Sequence, residues 1–189
     1  MTGWIVLLVL AVIAIYAILL FNQLVALKHN VGKSWANIDV LLKQRHDELP
    51  KLVETCRQYM QFEQATLEKV MQARNQVATA RAAHDIPALG QAEGALRLGL
   101  GNLFAVAEAY PELKTDETFR HLQERITGLE SAIADRREFY NDSVNVNNVR
   151  IEQFPDTLIA RLFNFRDFPL LRFASEEKKD VDMRKLFQQ

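Results

Sequence analysis

Apolar side chains fill positions Trp4 to Phe21 without interruption, and no charged residue occurs before Lys28. As a helix at 1.5 Å per residue this run spans about 27 Å, close to the ~30 Å hydrocarbon core of a bilayer. Trp4 and Tyr16 supply partial aromatic anchors. A cleaved secretory leader fits poorly. No Lys or Arg precedes the run, the run exceeds a typical leader core, and no A-x-A site or lipobox cysteine follows. The pattern predicts an uncleaved anchor over residues 1–24, touching the lipid bilayer through residues 4–21. Lys28, Lys33, Lys43 and Arg45 all lie on the C-terminal side of it. The positive-inside rule then puts the N-terminus outside and the remaining chain in the cytoplasm.

Beyond the anchor, apolar residues recur at three- and four-residue steps, the period of amphipathic helices. Ile38, Leu42, Leu49, Leu52, Val53, Cys56, Met60, Leu67, Val70 and Val77 form one stripe. Pro50 interrupts it, which predicts a kink or a short break between Asp47 and Pro50. The helical pattern then continues to about Arg81. Asp85 is suited to cap a second helix with Pro87 in its first turn. Its stripe is Leu89, Ala92, Leu96, Leu100, Leu103, Val106 and Tyr110. Pro111 to Thr115 reads as a turn, and Thr115 or Asp116 as the cap of a third helix. The third stripe is Phe119, Leu122, Ile126, Leu129, Ile133, Arg136, Tyr140, Val144, Asn147, Ile151 and Phe154, with a coiled-coil-like spacing near 3.5. Pro155 ends it, and a fourth, short helix is expected over Asp156 to Phe163.

The expected fold is all-α: a single transmembrane helix, then an antiparallel bundle of three long helices and one short one. Residues 25–170 form the bundle and residues 171–189 a charged tail. The third helix would be about 57 Å long and the second about 35 Å. The longer helix should therefore overhang the shorter and leave apolar surface for another copy or another protein.

Composition narrows the chemistry. The 189 residues include 7 Gly and 5 Pro, too few for collagen-like or low-complexity chains. With one cysteine, Cys56, no intramolecular disulfide can form. A net charge of -1 provides no field that would draw in nucleic acid. His29, His46, His84 and His121 never lie three or four apart, so no metal-ligand spacing appears. In His46-Asp47-Glu48, neighbouring helix positions diverge, which suits a solvated face better than a site. Gly32-Lys33-Ser34 lacks the first glycine of a phosphate loop, where Leu27 stands. The glycines at 94, 99 and 101 lack a strand-turn-helix setting and are better explained by close approach of another backbone. Cys56, on an apolar stripe, reads as a buried hydrophobe. The sequence thus offers no catalytic, cofactor or metal residues, and a non-enzymatic role is expected.

Polar residues near the stripes are the interaction candidates. Arg136 and Asn147 fall in the third-helix register, Glu63 lies near the first, and Glu130 and Arg137 share a face near Tyr140 and Asn141. Either they flank the core and reach outward, or they form polar layers that set helix register. The segment Arg161 to Phe173, RLFNFRDFPLLRF, adds Phe165 and Phe168. A basic aromatic stretch can lie on anionic lipid. However, helices that leave the membrane, return and leave again would put it at the far end. Packing against the bundle or a partner is therefore the expectation.

Three blocks resemble the LemA family of bacterial membrane proteins. The opening block carries Asn22, Leu24, Val25, Leu27, Trp35, Ile38, Asp39, Val40, Leu42, Lys43, Arg45, Asp47, Pro50, Leu52 and Val53. The second is AVAEAYPELK, with Glu108, Tyr110, Pro111, Leu113 and Lys114. The third is REFYNDSVNVNN with EQFP, with Tyr140, Asn141, Val144, Asn147, Phe154 and Pro155. The resemblance runs from about Phe21 to Phe165. It implies a single-pass anchor in the bacterial cytoplasmic membrane, a helical bundle, no established activity and no catalytic residues. It also implies a membrane zinc metalloprotease as partner, in membrane-protein quality control. The expected function is a membrane-anchored scaffold or adaptor that forms a homo-oligomer or holds a partner. The alternative is a helical-bundle sensor that binds a small ligand.

Overall fold

The computed structural model describes residues 2–173, so the charged tail expected over 171–189 lies almost wholly outside the described residues. The described chain is all-helical: α1 (Thr2–Tyr59), α2 (Gln64–Ala82), α3 (Ile86–Ala107), α4 (Pro111–Thr115), α5 (Glu117–Glu152) and α6 (Asp156–Leu162). α1 is the one helix among them long and apolar enough to cross a membrane.

The break expected near Pro50 does not occur; Pro50 lies inside α1. A proline there cannot donate to the carbonyl of His46. The Nε of Arg74, on α2, donates to that carbonyl instead, at 2.9 Å. The chain turns later, over Met60 to Glu63, where no Gly or Pro marks it. The single helix expected as far as Arg81 is therefore two. All ten of its stripe residues are nevertheless buried, because the period survives the turn.

Other ends follow local chemistry. α2 closes with His84 at φ 52°, while the amides of His84 and Asp85 bond back to Arg81 and Ala80, a Schellman arrangement. Asp85 then caps α3 through Oδ1 to the Ala88 amide at 2.9 Å, as expected. Asp116 caps α5 through Oδ1 to the Phe119 amide at 2.8 Å. α4 occupies the expected turn.

The chain divides into two compact units. The first holds the described residues up to Leu42 with Ser131–Leu170; the second holds Lys43–Glu130 with the described residues from Leu171. α1 and α5 contribute to both. In the first unit they run antiparallel: Ser34 bonds Ser143 at 2.9 Å, Trp35 meets Tyr140 edge-on at 5.8 Å, and Arg150 donates to Gln23 Oε1 at 2.6 Å. The part of α5 expected to overhang is thus partnered by α1. In the second unit, α2 and α3 pack along each other. A methyl on Gly90 would lie 2.0 Å from the carbonyl oxygen of Arg172, whereas Gly99 meets Val70 at ordinary contact and Gly101 meets nothing within 4 Å. Close backbone approach therefore explains Gly90, not Gly101.

Candidate functional site

Two polar constellations are built into the helices, one in each unit. In the second unit, Arg45 occupies the seam of Ile38, Leu42, Leu49 and Leu52, where the period calls for an apolar residue. It is 1% exposed. Its guanidinium donates to Glu93 on α3 and to Glu130 on α5. Glu93 likewise stands in the seam of Leu89, Leu96 and Leu100 and is buried. The two carboxylates carry one more negative charge than Arg45 can balance. Burial holds the Glu93 carboxyl above its ordinary range; Arg45 opposes this and Glu130 adds to it. Burial alone would lower the Arg45 guanidinium, but the two carboxylates outweigh it and leave it raised. Nearby, Glu48 accepts from Lys51 at 3.2 Å and from Arg125 at 3.1 Å. His46 is held below its ordinary range by burial and then by the Arg74 charge.

The second constellation, in the first unit, is neutral. Asn148 bonds the Phe168 backbone in both directions: its Nδ2 donates to the carbonyl at 2.9 Å and its Oδ1 accepts from the amide at 3.0 Å. The Tyr140 hydroxyl donates to the Pro169 carbonyl at 3.0 Å, and burial pushes its pKa up to about 12. Asn147, fully buried, donates to the Arg166 carbonyl at 3.5 Å. These groups hold the irregular segment after α6 along α5. Phe163 and Phe165 meet Phe21 at ring distances of 4.7 and 5.9 Å. Phe163 and Phe165 are thus not remote from the anchor, as helix counting suggested, whereas Arg172 lies against Gly90 in the second unit. α5 runs antiparallel to α1 and delivers the segment to Phe21, the last residue of the apolar run.

The interaction candidates separate accordingly. Glu130 belongs to the buried cluster and Asn147 to the amide clamp. Phe165 and Phe168 pack in the segment that the clamp holds. Arg136 is exposed, its guanidinium 5.7 Å from the Phe139 ring, so it forms no buried layer. Glu63 precedes α2 and is half-buried, as is Arg137. Arg45, Glu93 and Asn148 were not singled out from sequence; for the first two the signal was a charge standing in an apolar register. Among the described residues no three His, Cys, Asp or Glu side chains converge on a metal-sized site. The Cys56 thiol is pushed up to about 12 by burial, far from a reactive thiolate.

Among the described residues, an all-helical fold with one long apolar N-terminal helix defines a membrane-associated helical protein. The chain belongs to the LemA family, whose profile matches residues 34–184. That match begins within the first resembling block, just before Trp35, and runs on into the tail. Among its relatives are magnetosome proteins MamQ 1 and MamQ 2 of Paramagnetospirillum magneticum, each 25% identical over 84% of this chain and 67% of the relative. Magnetosome protein MamQ of Magnetospirillum gryphiswaldense is 33% identical over 42% of this chain and 29% of its own length.

Proposed function

We propose that the protein is a non-enzymatic, membrane-anchored helical scaffold. One observation carries this reading: exposure along α1 switches within a single uninterrupted helix. Side chains from Trp4 to Leu19, apart from half-buried Ala17, stand outward, while Leu20, Leu24, Val31 and Ile38 are buried. A helix that is apolar all round in one part and amphipathic in the next suits a lipid-facing span continued by a bundle helix. The charged interior supports the same reading, because Arg45 and Glu93 are buried and bonded to each other. Neither the family's description nor the relatives' names state a reaction. The bundle lies on the cytoplasmic side of the inner membrane in this reading, by the basic flank of the anchor. There it holds a second copy or a membrane protein such as a metalloprotease.

The test is the particle mass of the full chain in mild detergent, compared with a form lacking residues 1–19, which keeps Leu20, Phe21 and Leu24. A defined homo-oligomer or a crosslinked partner in membranes supports the scaffold. A monomer with no crosslinked partner overturns it. A cysteine in place of exposed Leu98 reports the side, since native Cys56 is buried. A second reading, a ligand sensor, draws on a groove of about 880 Å³ in the second unit lined by Met71, Gln72, Asn75, Gln76 and Thr79. A compound that raises the melting temperature, and loses that effect on Gln72→Ala, would support it.

A further inference from the structure

α6 is amphipathic in the inverted sense. Asp156 and Ala160, four apart, are buried, while Leu158 and Leu162, four apart on the opposite side, are 60% and 75% exposed. Phe154 and Phe163, which flank the helix, are also exposed. A helix that packs in water buries its leucines and shows its aspartate. The inversion is built in. Arg150 donates to Asp156 Oδ1 through Nε at 3.1 Å and Nη2 at 3.0 Å, and to Gln23 at 2.6 Å. Asn164, at φ 56°, ends α6 with the Phe165 amide bonded to the Ala160 carbonyl at 2.9 Å. That turn places both Phe163 and Phe165 on Phe21.

These ties fix α6 beside Phe21 and Gln23, where the apolar run gives way to polar sequence. That level is the water–hydrocarbon boundary if α1 spans the membrane, and the inference rests on that reading. We propose that α6 is a second membrane contact: an interfacial foot that sets Leu158, Leu162 and Phe154 into the headgroup boundary of an anionic leaflet. The bilayer is the occupant because the outward leucines continue the lipid-facing surface of α1. The charges fit as well. Lys28 and Arg166 line a cavity of about 430 Å³ with Phe21, Phe163 and Phe165, and Arg161 stands exposed on α6 itself. Asp167 is the carboxylate among the cavity's lining residues. Lipid phosphates suit such a rim of basic groups around aromatic rings.

The experiment uses the full chain in a Cys56→Ala background, reconstituted in vesicles. Nitroxide labels are attached at Leu158→Cys, Leu162→Cys, Phe154→Cys and, in the apolar run, Val9→Cys. Collisions with oxygen and with a water-soluble nickel chelate are measured for each. The proposal expects the three labels around α6 to be rich in oxygen collisions and poor in nickel collisions, as at Val9 but shallower. Nickel-accessible labels around α6, with Val9 in hydrocarbon, would overturn the foot and leave the anchor standing. Labels shielded from both reagents would overturn it in favour of a protein neighbour. A nickel-accessible Val9 would remove the span and the foot together. Charge is read by comparing phosphatidylcholine vesicles with vesicles containing phosphatidylglycerol. Burial should deepen with phosphatidylglycerol and lose that gain on Arg161→Glu with Arg166→Glu. Equal depth in both lipids overturns the choice of an anionic surface.

Discussion

Arg45 and Asn147 occupy equivalent places in their two units: each stands in a helix seam whose period calls for an apolar side chain, and each is buried. They are partnered in opposite ways. Arg45 is met by carboxylates from two other helices, so its partners are charges and its surroundings respond to protons. Asn147 and its neighbour Asn148 are met by backbone carbonyls and an amide of a segment with no ladder of its own. A buried charge needs counter-charge from wherever it can be brought. An irregular backbone needs directional donors and acceptors, which an amide supplies without any charge. The same device, a polar residue in an apolar register, therefore does two jobs: it joins helices in one unit and holds a non-helical segment in the other.

That contrast breaks most sharply at Arg45. Arg45→Met leaves Glu93 and Glu130 without their cation and should cost about 3–5 kcal/mol, read as a lower midpoint in urea denaturation of the detergent-solubilised protein. Adding Glu93→Gln should recover part of the loss; an undiminished loss would mean that Arg45 acts through packing alone. The contrast sharpens with pH. Glu93 binds its proton more tightly folded than unfolded, so its contribution is full below the ordinary glutamate range and is lost as pH rises through its raised folded value. Wild-type stability should therefore fall as pH rises above the ordinary glutamate range, more steeply than that of Glu93→Gln. Amide-exchange protection of Phe168, held by neutral groups, should show no such slope once corrected for intrinsic exchange.

Smaller effects follow. Gly90→Ala sets a methyl against the Arg172 carbonyl and should cost about 1–3 kcal/mol, seen in the melting temperature and in exchange at Arg172 and Phe173. Asn148→Ala removes two bonds to Phe168 and should cost about 1–2 kcal/mol, expressed first as faster exchange after α6 with the second unit unchanged. Arg136→Ala, at an exposed ring contact, should cost at most about 1 kcal/mol. A larger loss would restore Arg136 as a structural layer.

The sequence reading recovered what depends on period and on caps. The first two stripes, the third except for Arg136 and Phe154, which are exposed, and Asp85, Asp116, Pro155 and the bounds of α6 follow from spacing that any neighbour would satisfy. It failed where one residue's cost is met by a distant one. Pro50 reads as a break unless Arg74 is known to reach the His46 carbonyl. Met60 to Glu63 reads as helix because no local breaker marks the turn. Arg45 reads as one of the basic residues flanking the anchor, although its register with Leu42 and Leu49 marks it as interior. The placement of the aromatic segment failed for a related reason: one undetected turn reverses the direction of every helix after it.

The proline inside α1 has a consequence for synthesis. The carbonyl it leaves without a donor is completed by a side chain 28 residues further along. A nascent chain that has released α1 but not Arg74 therefore leaves that carbonyl to water. The remedy arrives only when the return helix folds back. α1 beyond Pro50 is thus half of a hairpin, joined to its return helix in part by the bond from Arg74 to the His46 carbonyl.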